Sequence, residues 1–260
     1  MTPERYQQLK ERLTPRTRLC TLAHVSNVTG VIAPVEEWIA TAHAAGIPVM
    51  VDASQSVSHL PIDVKALDCD FLAFSSHKLC GPSGIGALWG RRELLEEMQP
   101  FNFGGEMIRS VSLERTSWNE LPYKFEAGTP AIAEAYGFGV ALDYVSEVGL
   151  DAIEAHEHEL VVQAMDALAE IDGIRIFGPP ADRRTGIVSF ELENVHPHDV
   201  AQILNWENIA VRAGHHCTQP LMTRLGVAAT TRASFYLYSL PEDVDRLIAG
   251  LHKVKETFGA

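Results

Sequence analysis

Two short apolar runs, each ending in a cluster of polar residues, constrain this chain more than any other feature. The first, at 47–51, stops at Asp52. The second, at 70–74, runs into Ser75, Ser76, His77 and Lys78 and then into the turn GPSGIG. Runs this short and this apolar read as buried strands. Ahead of the first, Pro34 opens a helix to about residue 45, as proline in a first helical turn does, and Gly46 stops it. A strand at 18–23, the helix at 34–45 and the strands at 47–51 and 70–74 predict right-handed crossovers and a mostly parallel sheet. Polar residues gather where the strands end, at Asn27, Asp52, Gln55, Ser75 and His77. In open α/β sheets ligands bind at that edge.

The rest of the chain changes character. Residues 3–13 read as a helix, 85–89 as a further strand and 91–98 as a short helix. Residues 100–129 read as irregular, and irregular stretches of that length are more often functional or partner-binding than idle. Two long helices follow at 131–149 and 151–171, broken near Gly149. Strands at 174–178, 186–192, 209–212 and 231–238 alternate with a helix at 198–206, and Pro241 opens a last helix over 242–257. The expected architecture is α/β. A large domain over 1–140 carries a mostly parallel sheet, and a smaller α+β domain spans 141–260.

Composition excludes some classes. The 260 residues carry a net charge of −13, which argues against nonspecific binding to nucleic acid or to an anionic membrane surface. No run approaches the ~18–20 apolar residues of a membrane span, and the polar start MTPERYQQLKER has no apolar signal core. The four cysteines, Cys20, Cys69, Cys80 and Cys217, form no CxxC pair. That usage disfavours zinc and suits a reducing, cytoplasmic setting.

Several residues are candidates for chemistry, each with a plainer reading beside it. Lys78 stands at the tip of an apolar strand, where a desolvated amine can condense with an aldehyde; it can also be a surface lysine. Asp52 can cap the following turn or pair with a protonated ring nitrogen. Gln55, one turn on, can donate to a cofactor oxygen. Ser75 and His77 suit a phosphate, although serines beside turns commonly satisfy backbone. Cys217 lies in GHHCTQP, where Arg212, His215 and His216 are expected to provide the electropositive setting a thiolate needs. Arg232, on the strand TRASFYLY, has the fork that matches a carboxylate, or serves an ordinary salt bridge.

Taken together, AHVSNVTG, VDASQSVSH, SSHKLCGPSGIGAL, KFEAGTP, VRAGHHCTQPLM and TRASFYLYS resemble the class V aminotransferase family, and within it the cysteine desulfurases of the SufS type. The resemblance runs from about residue 16 to the C-terminus. It implies a pyridoxal 5′-phosphate-dependent transferase of fold type I that works as a homodimer, converts L-cysteine to L-alanine, carries a persulfide on Cys217, and passes the sulfur to a SufE-like acceptor for iron–sulfur cluster assembly. By the same resemblance Lys78 is the lysine that bonds the cofactor. Asp52 partners the ring nitrogen, Gln55 the phenolic oxygen, and Ser75 and His77 the phosphate. Thr129 reaches the phosphate of the neighbouring subunit's cofactor, and Asn27 and Arg232 bind the substrate carboxylate. No metal is implied.

Against the family pattern, the chain is expected to lack a long N-terminal section. In the family that section supplies part of the large domain, a phosphate-binding turn and a histidine that stacks on the cofactor. Two other readings stay open: another class V enzyme, such as a selenocysteine lyase, and a noncatalytic binding or assembly module.

Overall fold

The structure is a computed structural model and describes residues 10–259. Most of the helix expected over 3–13 lies outside the described residues; 10–12 are helical. The chain forms two compact units. The first comprises the described residues up to Ala23, then Pro34–Ser58 and Ile62–Val148; the second comprises His24–Ala33, His59–Pro61 and the residues from Gly149 on.

The first unit holds four strands, β1 (Cys20–Ala23), β2 (Val49–Asp52), β3 (Phe71–Ser75) and β4 (Gly86–Gly90), in the order β1-β2-β3-β4. The first three run parallel, and β4 returns antiparallel to β3. Helix α1 (Val35–Ala44) connects β1 to β2 and buries Val35, Ile39 and Ala42, the three-to-four spacing of an amphipathic helix. Gly46 follows it at φ +70°, a conformation glycine adopts without penalty. The Asp70 carboxylate ahead of β3 accepts from Val49 N at 2.7 Å and meets His43 Nε2 at 2.7 Å, tying β2 to the start of β3. A single turn, α2 (Val64–Leu67), is capped by Asp63, which accepts from Lys65 N and Ala66 N.

After α3 (Arg92–Glu97), the stretch expected to be irregular contains a hairpin of β5 (Ile108–Val111) and β6 (Thr116–Trp118). Its turn is closed by Ser112, whose N donates to Arg115 O at 2.8 Å and whose Oγ accepts from Arg115 N at 3.0 Å. All four residues of β5 are exposed, so no inside–outside alternation marks it in the sequence. Helix α4 (Ile132–Val148) closes the unit, burying Phe138, Ala141 and Val145, with Phe138 edge-on to Phe74.

The second unit is an antiparallel sheet, β7 (Ile174–Phe177), β8 (Ile187–Leu192), β9 (Arg212–Gly214) and β10 (Thr230–Ser234), in the order β7-β8-β10-β9. Helices α5 (Leu150–Ala169), α6 (Pro197–Trp206) and α8 (Pro241–Phe258) supply Leu160, Leu168, Leu204, Val244 and Leu251 to one core with Val188 and Phe190. A short α7 (Gln219–Leu225) precedes β10. The units divide at Gly149 rather than at residue 140, because α4 runs without interruption to Val148; Gly149, at φ +89°, makes the break.

Two early segments also belong to the second unit. In His24–Ala33, Val31 bridges to Arg184, and Val28 O accepts from the buried Ser189 Oγ at 2.5 Å. Gly30, at φ +67°, approaches β8 so closely that a Cβ would lie 2.8 Å from Ile187 O. In the shorter segment, His59 Nδ1 stands 2.8 Å from the buried Glu157 carboxylate, and burial raises the pKa of Glu157. Among the described residues no helix is long and apolar enough to cross a membrane.

Candidate active site

The candidate residues fall into two groups, one in each unit. In the first unit, Asp52 is the last residue of β2, exposed, with Oδ1 accepting from Ser54 N at 2.9 Å. That is the capping contact, and it leaves the other carboxylate oxygen for a ligand. Gln55 follows, half-buried, its carbonyl accepting from Ser58 Oγ at 3.2 Å. On the adjacent parallel strand, Ser75 ends β3, and Ser76–Lys78 form a single 3-10 turn. Asp52, Ser75 and the Lys78 turn therefore share one carboxyl edge of the sheet.

The Lys78 turn is held by backbone and by packing. Ser76 O accepts from Leu79 N at 2.8 Å and Gly81 N at 3.1 Å, while Ser76 N donates to Ile85 O. Ser76 is fully buried. A Cβ on Gly81 would sit 2.0 Å from Ser76 Oγ, so only glycine lets the loop fold back this tightly. The exposed Cys80 adopts φ +56° to make the reversal. Lys78 is half-buried, His77 exposed, and Thr129, on the loop before α4, exposed as well.

In the second unit, Asn27, Cys217 and Arg232 come together although 205 residues separate the first from the last. Arg232 Nη1 donates to Asn27 O at 2.7 Å, and Asn27 Nδ2 donates to His216 O at 2.6 Å. On the neighbouring strand Arg212 is the register partner of Arg232, and its Nη2 lies 3.6 Å from Cys217 Sγ. Like charges directly opposite across a sheet are unfavourable. Burial first, and Arg212 next, lower the pKa of Arg232. The Arg232 Nε is buried and has no partner among the described residues. Two guanidiniums side by side, one with an unused donor, make a site built for an anion.

The expectation that His216 contributes positive charge beside Cys217 is corrected here. His216 is 2% exposed, and burial, then the nearby Arg232, drive its pKa down to about 4. It is neutral at physiological pH, and the guanidinium that meets the sulfur is that of Arg212. His216 Nε2 lies 3.1 Å from Thr230 O and 2.9 Å from Thr230 Oγ1. A carbonyl only accepts, so Nε2 carries the proton. His216 and Cys217 are both left-handed, at φ +53° and +63°, and such residues cost about 1–3 kcal/mol each unless their surroundings hold them. Thr230 and the bracing role of Asn27 were not legible in the sequence; the only hint was a histidine pair two residues past a strand. Among the described residues no group of three or more His, Cys, Asp or Glu side chains could hold a metal ion.

A family model described as aminotransferase class-V matches residues 3–247. The chain is 52% identical over 253 residues to a probable cysteine desulfurase of Halalkalibacterium halodurans, covering 97% of this chain and 62% of that protein. It is 50% identical over 252 residues to a cysteine desulfurase of Haloferax volcanii, covering 97% and 59%. Among solved structures, the cysteine desulfurase CsdA of Escherichia coli, in an S-sulfonic acid form, superposes with a TM-score of 0.93 at 41% identity, covering 97% of this chain and 62% of that one. The chain thus spans about three-fifths of the length of the curated relatives it matches.

Proposed function

The chain belongs to the aminotransferase class-V family and has the α/β fold of the pyridoxal phosphate-dependent transferases of fold type I, and we propose that it acts as a cysteine desulfurase, moving the sulfur of L-cysteine onto Cys217 and releasing L-alanine. The observation that carries this reading is the Cys217 turn. It holds an exposed thiol 3.6 Å from the Arg212 guanidinium, in the same cluster as a half-buried arginine whose Nε is an unused donor. The substrate's carboxylate suits Arg232, and its sulfur is what an accessible thiolate attacks.

The donor set at the sheet edge of the first unit fits pyridoxal 5′-phosphate. Lys78 offers an amine for the aldehyde, Asp52 a carboxylate for the ring nitrogen and Gln55 an amide for the phenolic oxygen. Ser75 and His77 offer a hydroxyl and an imidazole for the phosphate. Bound there, the cofactor supplies an electron sink for bonds at the substrate's Cα and Cβ. The Lys78 amine is the base for the Cα proton. Cys217 Sγ forms a bond to the substrate sulfur as the Cβ–S bond breaks. The electron pair of that bond stays with carbon, which takes up a proton. The sulfur becomes sulfane sulfur as the carbon fragment is reduced to alanine, so no external oxidant is needed.

In this reading Thr129 reaches the phosphate of a neighbouring subunit's cofactor, which makes the working unit a homodimer. The persulfide passes to a SufE-like acceptor feeding iron–sulfur cluster assembly. All four cysteines are free thiols, which supports a reducing, cytoplasmic setting.

The test is the visible absorption of the chain after incubation with pyridoxal 5′-phosphate, followed by alanine release from L-cysteine. A band that disappears in Lys78→Ala, with turnover lost in Cys217→Ala, is the expected result. A folded chain that takes up no cofactor, or Cys217→Ala releasing alanine and sulfur at the wild-type rate, overturns it.

A further inference from the structure

His216, next to Cys217, is a buried side chain that the proposed chemistry leaves without a task. It is too buried to meet substrate, and its Nε2 proton is committed to Thr230. With Nε2 protonated, Nδ1 is a lone-pair acceptor. That Nδ1 is buried and has no hydrogen-bond partner among the described residues. An orphaned buried acceptor is destabilising, so an imidazole here must return something an apolar side chain of similar size would not.

What it returns is visible in the backbone. The chain leaves β9 at Gly214, whose register partner is Thr230. Two residues later His216 reaches back to that same Thr230, at both O and Oγ1. Its own carbonyl is taken by Asn27 Nδ2 at 2.6 Å. On the far side, Thr218 closes the turn, with both N and Oγ1 donating to His215 O at 2.9 Å. Cys217 therefore sits between two anchored neighbours, left-handed, with its sulfur outward at Arg212.

We propose that His216 is a positioning residue for Cys217: anchored through Nε2 to Thr230 and through its carbonyl to Asn27, it locks the left-handed pair that presents the thiol to solvent and to Arg212. The inference rests on the reading of Cys217 as the sulfur acceptor, but its geometry stands without any substrate. Without the anchor, the turn relaxes towards ordinary backbone conformations, and Sγ leaves the guanidinium.

The experiment alkylates the full chain with limiting iodoacetamide and measures Cys217 and Cys80 by mass spectrometry. Both thiols are exposed, and Cys80 belongs to the other unit, so it is an internal reference. In His216→Leu the Cys217-to-Cys80 rate ratio is expected to fall at least about fivefold, since reactivity follows thiolate character and access. His216→Gln, whose amide can still donate to Thr230, is expected to restore the ratio to within about twofold and to return the pH–rate midpoint of Cys217 to the wild-type position. A role in bulk packing alone would be served equally well by leucine. An unchanged ratio in His216→Leu, or no rescue by glutamine, overturns the proposal.

If circular dichroism shows that His216→Leu fails to fold, His216→Met against His216→Gln decides: a ratio lowered in methionine and kept in glutamine supports the anchor, and the same ratio in both overturns it. Alkylation needs neither cofactor nor cysteine. Failure of alanine release in a wild-type chain with a normal alkylation ratio therefore counts against the desulfurase reading and not against the anchor.

Discussion

The Lys78 turn and the Cys217 turn solve the same problem by different means. Each follows a strand, reverses sharply, and uses non-glycine residues at positive φ, Cys80 in one and His216 with Cys217 in the other. The Lys78 turn is held almost wholly by its own backbone and by the contact of Gly81 with Ser76, within about ten residues of sequence. The Cys217 turn is held by side chains from elsewhere, Thr230 and Asn27, the latter 189 residues away. The first turn joins β3 to its antiparallel neighbour β4 and is positioned by local geometry, whereas the second leaves β9 and is braced from a distance.

The largest effect that would sharpen this contrast is at Lys78. Lys78→Ala should lower alanine release from L-cysteine by at least about 100-fold, the scale of a lost general base, while leaving Cys217 alkylation unchanged. A change in alkylation would mean that the two turns are not independent. Gly81→Ala comes next. The added Cβ meets a fully buried hydroxyl at 2.0 Å, and overpacking of this kind costs about 1–3 kcal/mol. Urea unfolding should show that loss, and Ser76→Ala in the same chain should recover part of it. A Gly81→Ala chain as stable as the wild type would show that local packing does not hold this turn.

Acid should act on the Cys217 turn through His216. Its pKa is lowered from 6.5 to about 4 on folding. The unfolded chain therefore binds more protons between those values, and stability falls as pH drops from about 6.5 to about 4. The loss is at most about 3 kcal/mol. Melting temperatures across that range should show a slope that His216→Gln removes; an equal slope in both chains would place the titration elsewhere. The smallest effect is that of Thr230→Val, which removes the Oγ1 contact but keeps the carbonyl. It should cost about 0.5–1.5 kcal/mol in urea unfolding, and a larger loss would mean that the hydroxyl, not the carbonyl, is the main anchor.

How much was legible in the sequence follows the same division. Pro34, Gly46 and the apolar runs ending at Asp52 and Ser75 mark β2, α1 and β3 to within a residue or two, because each signal is local. The strand read as 231–238 stops at Ser234: Phe235 N donates to Gly186 O, and Ser239 N closes a turn on Tyr236 O. The strand read at 209–212 is Arg212–Gly214, and Val64–Leu67 and Gln219–Leu225 are helical turns too short for a periodic pattern to show. Lys78, Asp52 and Cys217 stand out by chemistry and context. Spacing and periodicity do not place Asn27 with Cys217; only the resemblance does, by giving Asn27 and Arg232 the same substrate carboxylate, and the Asn27 contact with His216 O is not encoded near residue 27. Nor does adjacency separate His215, exposed, from His216, buried: left-handed backbone breaks the alternation that sequence patterns rely on.

The early segment His24–Ala33 also sets an order of events in time. It leaves the ribosome before Pro34–Ser58, yet the β8 residues that receive it, Ile187 and Ser189, are about 160 positions later. The second unit can therefore finish folding only when nearly the whole chain has been made. A contact of that sequence separation is slow to form and leaves the strap exposed meanwhile. When synthesis passes Gly149, every residue of the first unit has been made, while His24–Ala33 and His59–Pro61 still wait for their partners in the second.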